Sequence, residues 1–355
     1  MNQTNFYPGP SQLYPQVEGY WQDAFRSGIL STNHRSPAFM DLLAQTIVAM
    51  HDKLDIPADY EIYLTSSATE CWEIVSQSLV QKSSLHAFNG AFGQKWFEYA
   101  GRLHSAFSHE FDPNEDLVFK LNEGFEEAEI LCLTHNETSN GTAIPAATLT
   151  EIRQQFSGLI AVDATSSMAG VELPWSAGDV WLASVQKCFG LPPGLGVLVV
   201  SPRAIARAEA IGERNHYNSL LFIRENFLKN QTPYTPNIPG IYLLGRILEQ
   251  VPAIEAIDKR ITARAEHFYQ FLSENTYQPL IRNREVRSPT VITVAGDENL
   301  MKHLKESAKK AGILLGNGYG PWKNTTFRIA NFPAIADADF AQLRDFLKTS
   351  APEAV

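Results

Sequence analysis

The sequence predicts an α/β protein: a mostly parallel sheet covered by helices on both faces, followed by a smaller α+β unit. Three observations predict it. Short apolar runs alternate with stretches of helical periodicity from Phe39 to Val200. Two of these runs, Leu159-Ile160-Ala161-Val162 and Val180-Trp181-Leu182-Ala183, are apolar throughout, as strands buried on both faces must be. After Gly240 the rhythm changes to longer helices separated by single strands.

Taken in order, Ser36 and Pro37 head a helix to Leu54, with Phe39, Leu42, Leu43, Thr46, Ile47 and Met50 on one face. Glu61–Leu64 reads as a strand leading into a helix from about Thr69 to Val80. Ser84–Phe88 is a strand before a helix from Phe92 to Leu103. Ile130–Leu133 is followed by a helix near Leu149–Phe156, then by the strands that end at Asp163 and Ser184. Gly196–Val200 comes back after a short turn, so it pairs antiparallel. The later part holds helices near Ile241–Gln250, Ala253–Glu274, Leu300–Ala311 and Phe340–Leu347, with strands at Val291–Val294 and around Phe327–Ile329. At 355 residues two domains are expected, with the long helix as their connector.

Composition narrows the function. An apolar content of 44 % and a charged content of 19 % are ordinary for a globular enzyme or binding protein. A net charge of −10 argues against nucleic acid as a partner. No apolar run approaches the ~20 residues a bilayer span needs, so no membrane is expected. The start Met1-Asn2-Gln3-Thr4-Asn5 lacks a leader pattern, and Cys71, Cys132 and Cys188 suit a reducing cytoplasm as buried, inert thiols. They lack metal-ligand spacing, and no metal is expected.

The chemistry sits where strands end. Asp163 closes one apolar run, and Lys187 follows another through Ser184-Val185-Gln186. In open α/β sheets functional side chains gather at the carboxyl edge. An amine and a carboxylate there suit pyridoxal 5'-phosphate, the lysine as Schiff-base former and the aspartate as partner of the ring nitrogen. Read singly, each is equally a solvated loop lysine and a helix-capping aspartate. Thr65-Ser66-Ser67-Ala68-Thr69-Glu70 joins a strand to a helix, where free N–H groups and the dipole favour a phosphate; Ser67 or Thr69 adds a hydroxyl. The same residues make an ordinary helix cap. Phe92, after Asn89-Gly90-Ala91, is either a stacking ring or a core side chain. His135-Asn136-Glu137-Thr138 supplies a hydroxyl or a plain polar turn. Arg328, between Phe327 and Ile329, faces solvent or grips a carboxylate in a cleft, and Arg35 either binds a second anion or stands on the surface.

Together these motifs resemble the class V (fold type I) PLP-dependent aminotransferases. The likeness runs from Tyr7-Pro8-Gly9-Pro10-Ser11 through Asn33-His34-Arg35-Ser36-Pro37, Asn89-Gly90-Ala91-Phe92-Gly93, Asp163-Ala164-Thr165-Ser166-Ser167 and Gln186-Lys187 to Arg328. Within the class the chain is similar to the phosphoserine aminotransferases. The resemblance implies a seven-stranded, mostly parallel sheet in a large domain (15–245), a small C-terminal domain (246–355), and an arm (1–14) near the active site. It implies Lys187 as Schiff-base lysine and proton carrier, Asp163 on the pyridine nitrogen, Phe92 on the ring and Thr138 on the phenolic oxygen. Ala68, Thr69 and Gln186 would hold the cofactor phosphate. Gln231 and Thr232 would reach the neighbouring subunit's cofactor, so a homodimer with shared sites follows. Arg328 would take the substrate α-carboxylate; Arg35, with His34 beside it, the substrate phosphate. Small amino acids and 2-oxo acids would be the substrates.

The chain departs from the phosphoserine pattern at Thr69, where an arginine is usual, at Gly320-Pro321-Trp322, where a histidine is usual, and at Phe92, in place of tryptophan. Transaminases of the alanine–glyoxylate or serine–pyruvate type, which need no substrate phosphate, are therefore the competing reading. A non-catalytic member that keeps the fold as a binding module is another. A cysteine desulfurase does not fit, because no cysteine follows Cys188.

Overall fold

The computed structural model describes residues 3–118 and 127–350. Seven strands form one sheet in the order Glu61–Thr65, Gly196–Val200, Val180–Ser184, Leu159–Asp163, Ile130–Thr134, Ser83–Phe88, Ser105–Glu110. Gly196–Val200 runs antiparallel to both neighbours, and the other pairs are parallel. The strands Leu159–Asp163, Val180–Ser184 and Gly196–Val200 are buried at every residue, which is why their sequences carry no polar alternation. Ser105–Glu110 escapes a reading of apolar runs. It lies at the sheet edge with most side chains exposed, and only its backbone pairing with Ser83–Phe88 places it.

Helix starts follow their caps. The Ser36 hydroxyl accepts the Phe39 N–H at the head of Pro37–Leu54, and Ser67 accepts the Glu70 N–H at the head of Ala68–Leu79. The helix Ala91–Ala100 stops three residues short of Leu103, where the Arg102 and Leu103 N–H groups bond to the Tyr99 and Ala100 carbonyls in a tightened closing turn. Helices Gln16–Ser27, Pro202–Ile211 and Leu220–Phe227 add to those predicted.

A second sheet has five strands in the order Thr4–Phe6, Ile313–Asn317, Thr326–Ala330, Val291–Ala295, Gln278–Pro279. Its first strand comes from the start of the chain and pairs parallel with Ile313–Asn317. That pairing aims Tyr7-Pro8-Gly9 at the carboxyl edge of the larger sheet.

At the opposite edge Asp179 fastens three strands. Its buried carboxylate accepts from the Arg153 guanidinium at 2.9 Å, the Arg203 guanidinium at 3.1 Å, the Ile160 N–H at 2.9 Å and the Ser201 hydroxyl at 3.2 Å. Removing one side of a buried ionic cluster leaves the rest uncompensated. Asp179→Ala should therefore cost about 3 kcal/mol of stability, read as a lower urea midpoint with an unchanged denaturant slope.

Candidate active site

The strands ending at Asp163 and Ser184 are parallel neighbours, so their continuations leave the sheet side by side. They open into a cavity of about 320 Å³, at the lower end of the range for small-ligand sites. Of the residues predicted from sequence, Ala68, Thr69, Phe92, Thr138, Asp163, Gln186, Lys187 and Arg328 line it.

Lys187 is the centre. Its Nζ donates to Thr138 Oγ1 at 2.7 Å and to Ser166 Oγ at 2.8 Å, and these two hydroxyls lie 2.5 Å apart. The ring centroid of Phe92 stands 5.3 Å from the amine. Burial disfavours the charge and draws the lysine pKa down to about 8, against the opposing pull of Asp163 and Glu137. Gly9 closes the site from the other side. It has a left-handed φ of 125°, and a Cβ there would come within 2.9 Å of Lys187 Cε. Only glycine permits both the turn and the close approach.

Asp163 is 4 % exposed. Burial pushes its carboxyl pKa up, while the Thr165 and Trp72 donors and the Lys187 charge hold it down. The Thr165 N–H reaches Oδ1 at 2.8 Å, and the Trp72 indole reaches Oδ2 at 2.9 Å.

The start of the helix Ala68–Leu79 faces the same cavity through Ala68 and Thr69. Ser67 stays outside it, its hydroxyl engaged as the helix cap at 3.1 Å from the Glu70 N–H. The Ala68 N–H donates to Ser184 Oγ at 2.8 Å. Across the cavity, Arg328 rises from its strand. Its Nε donates to the Asn317 carbonyl at 2.7 Å, and a terminal nitrogen to the Thr138 carbonyl at 2.8 Å. The guanidinium also lies 5.5 Å from the Tyr319 ring centroid, and burial lowers its pKa. Tyr319 stacks on Phe92 with centroids 5.3 Å apart. Glu137, itself buried, receives the N–H groups of Phe92 and Gly93 at 3.1 and 3.2 Å and so fixes the helix that carries Phe92. Gly90 makes room for it, since a Cβ there would fall 2.3 Å from Glu137 Cγ.

His34, Arg35, Gln231 and Thr232 lie outside this cavity. Arg35, which is exposed, donates to Gln231 Oε1 at 2.9 Å and so joins two segments that the resemblance treats separately, while Thr232 is buried with its hydroxyl donating to the Tyr234 carbonyl at 2.6 Å. Sequence reasoning missed Trp72, Ser166 and Tyr319. Trp72 looks like a core residue of its helix, Tyr319 belongs to a loop without periodicity, and Ser166 shows only as one of several small polar residues after Asp163.

The residues present fit pyridoxal phosphate. Thr134 and Asn136 line the cavity, and Thr134 Oγ1 and Asn136 Nδ2 are buried polar atoms with no protein partner. Alongside them stand a helix start, an aromatic face, a carboxylate and an amine, which are the groups that a phosphate, a heterocycle, a ring nitrogen and an aldehyde each require. The depressed lysine pKa also has a thermodynamic sign. The folded chain binds this proton more weakly than the unfolded one, so the cost of burying the amine is fully present below about pH 8 and fades towards pH 10.5. Amine-selective labelling of the cofactor-free protein, read by peptide mass spectrometry, should accordingly titrate at Lys187 with a midpoint near 8, well below that of the surface lysines.

Among the described residues no helix is long and apolar enough to cross a membrane. Residues 114–320 match the family Aminotransferase class-V. The phosphoserine aminotransferase of Corynebacterium glutamicum is 28 % identical over 94 % of this chain and 91 % of its own length. The structure of a phosphoserine aminotransferase from Cytophaga hutchinsonii superposes with a TM-score of 0.93 at 33 % identity, covering 98 % of this chain and 99 % of that one. An alanine–glyoxylate aminotransferase from Nostoc sp. shares the fold at a TM-score of 0.82 and 21 % identity, covering 99 % of this chain and 96 % of that one. The match to more than half of the chain, on a fold of seven mostly parallel strands with a buried lysine at its carboxyl edge, establishes that this chain belongs to the pyridoxal phosphate-dependent class-V aminotransferases.

Proposed function

We propose that this enzyme is a phosphoserine aminotransferase, exchanging the amino group between phosphoserine and 2-oxoglutarate in serine biosynthesis. One observation carries the reading: likeness to the Cytophaga hutchinsonii phosphoserine aminotransferase extends over 98 % of the chain at 33 % identity, against 21 % for the alanine–glyoxylate enzyme.

The roles proposed for the residues follow from their placement. Bound pyridoxal phosphate supplies an electron sink for the carbanion left when a substrate loses its Cα proton. Lys187, an amine with a pKa of about 8, is the group that takes this proton and returns it. Thr138 and Ser166, which hold its Nζ now, steer it between positions. Asp163 keeps the ring nitrogen protonated, and Phe92 covers one face of the ring. Ala68, Thr69 and Gln186 bind the cofactor phosphate at the helix start. Arg328, whose remaining N–H groups face the cavity with Tyr319 beneath, receives the substrate α-carboxylate. Two alternating half-reactions in one cavity give ping-pong kinetics.

The proposed assembly is a homodimer in the cytoplasm. Trp21 and Phe25 are exposed one turn apart on the first helix, Phe222 is exposed on the helix Leu220–Phe227 and Leu228 just past its end, apolar side chains of the kind a second copy would cover. In such a dimer His34, Arg35, Gln231 and Thr232, which do not line their own chain's cavity, serve the partner's. Arg35 and His34 then take the substrate phosphate, and Gln231 and Thr232 the cofactor phosphate.

A second reading, a transaminase for uncharged donors such as alanine or serine, draws on one fact: Lys187 and Arg328 are the only cations among the described residues lining the cavity. A donor panel decides between the two. Phosphoserine should exceed serine and alanine in kcat/KM, and Arg35→Ala should reduce phosphoserine use about tenfold or more, the scale of one lost charge-assisted bond, while sparing serine. Equal losses for both donors would reject the phosphate role. Lys187→Ala should abolish transfer with every donor while circular dichroism reports an intact fold; retained turnover would remove the lysine from the reaction.

A further inference from the structure

We propose that Trp72 is a positioning residue whose indole N–H orients the Asp163 carboxylate towards the cofactor's ring nitrogen. The inference rests on the reading of Asp163 as that nitrogen's partner.

The geometry around the carboxylate is specific. Each oxygen receives one N–H donor from the protein, the Thr165 N–H on Oδ1 at 2.8 Å and the Trp72 indole on Oδ2 at 2.9 Å, with the Thr165 hydroxyl also acting on the carboxylate. Both N–H donors lack any lone pair to accept with. A proton on the carboxyl can therefore not sit between the acid and either group. Asp163 itself lines the cavity, so a ring N–H arriving there would meet the lone pairs that these two donors leave free. The two donors thus define the face that Asp163 presents, and Trp72 is the one that comes from a separate element.

The indole is held firmly. It is 5 % exposed and stacks on Trp96 with centroids 5.9 Å apart and planes 10° from parallel, while the Tyr99 ring meets its edge at 6.1 Å. Trp96 is itself 1 % exposed, so the stacked pair is enclosed by the core. Trp72 follows Ala68 and Thr69 by about one turn of the same helix. One helix therefore carries both sets of groups: its start would hold the cofactor phosphate, and its next turn would fix the acid that partners the ring nitrogen. The other charged or titratable groups next to Asp163 are Lys187 from the neighbouring strand end and Cys71 from the same helix, whose thiol is pushed up by burial. Neither donates to the carboxylate.

The test compares pyridoxal phosphate with its 1-deaza analogue, in which the ring nitrogen is a carbon, binding to the full-length apoprotein. The native protein should prefer pyridoxal phosphate, and Asp163→Asn should erase that preference. Trp72→Phe should lower affinity for pyridoxal phosphate roughly tenfold to a hundredfold, as for a lost hydrogen bond to a charged group, and leave the deaza analogue nearly unaffected. If Asp163→Asn keeps the preference, the role of Asp163 falls and this proposal with it. If Asp163→Asn erases the preference while Trp72→Phe retains it, or weakens both ligands alike, Asp163 keeps its role and Trp72 is packing only. Should Trp72→Phe fail to fold, 3-benzothienylalanine at position 72, which keeps the bicyclic shape without the N–H, is judged by the same outcomes.

Discussion

The amine of Lys187 and the carboxylate of Asp163 are both buried beside one cavity, carried there by adjacent parallel strands, and most of the surrounding architecture makes that arrangement possible. A charge moved out of water costs several kcal/mol unless it is paired, hydrogen-bonded or neutralised. The protein uses each remedy. The lysine loses part of its affinity for a proton and rests on two hydroxyls. The aspartate, which burial pushes towards the neutral acid, is pulled back by two N–H donors and by the neighbouring amine. Parallel pairing of their strands sets the separation, so the sheet is the device that brings acid and base together.

Rigidity comes from side chains that have one way to bond. Glu137 gathers the N–H groups at the start of the helix that carries Phe92, and Arg328 gives two of its donors to backbone carbonyls. The first residues of the chain join the second sheet and then cross to Lys187 at Gly9, which ties two sheets to one cavity. Such preorganisation lowers the cost of fixing a ligand in place, since the cavity's polar groups already hold their positions.

Charge is sparse at the site. On a chain with a net charge of −10, the cavity is lined by only two cations among the described residues. Arg35 waits elsewhere, exposed and bonded to Gln231. On the proposed reading, anion recognition is therefore divided between two copies of the chain, and a site complete for a dianionic substrate exists only when both are present.

Much of this was legible in the residues themselves. Apolar runs mark the buried strands because both their faces are covered, and Ser36, Pro37 and Ser67 mark helix starts because capping is local. The strand-end positions of Asp163 and Lys187 follow from the same pattern, as does the recognition of the family from short motifs. Tertiary structure alone decided what local sequence has no means to encode. Ser105–Glu110 and Thr4–Phe6 are strands because distant backbone groups pair with them, not because of their side chains. Trp72 has the apolar periodicity of any core residue until the fold sets its N–H against Asp163, and Tyr319 has no pattern until it meets Phe92. Periodicity and caps act over a few residues and can be read along the chain; contacts between its distant parts arise only once the sheets have closed.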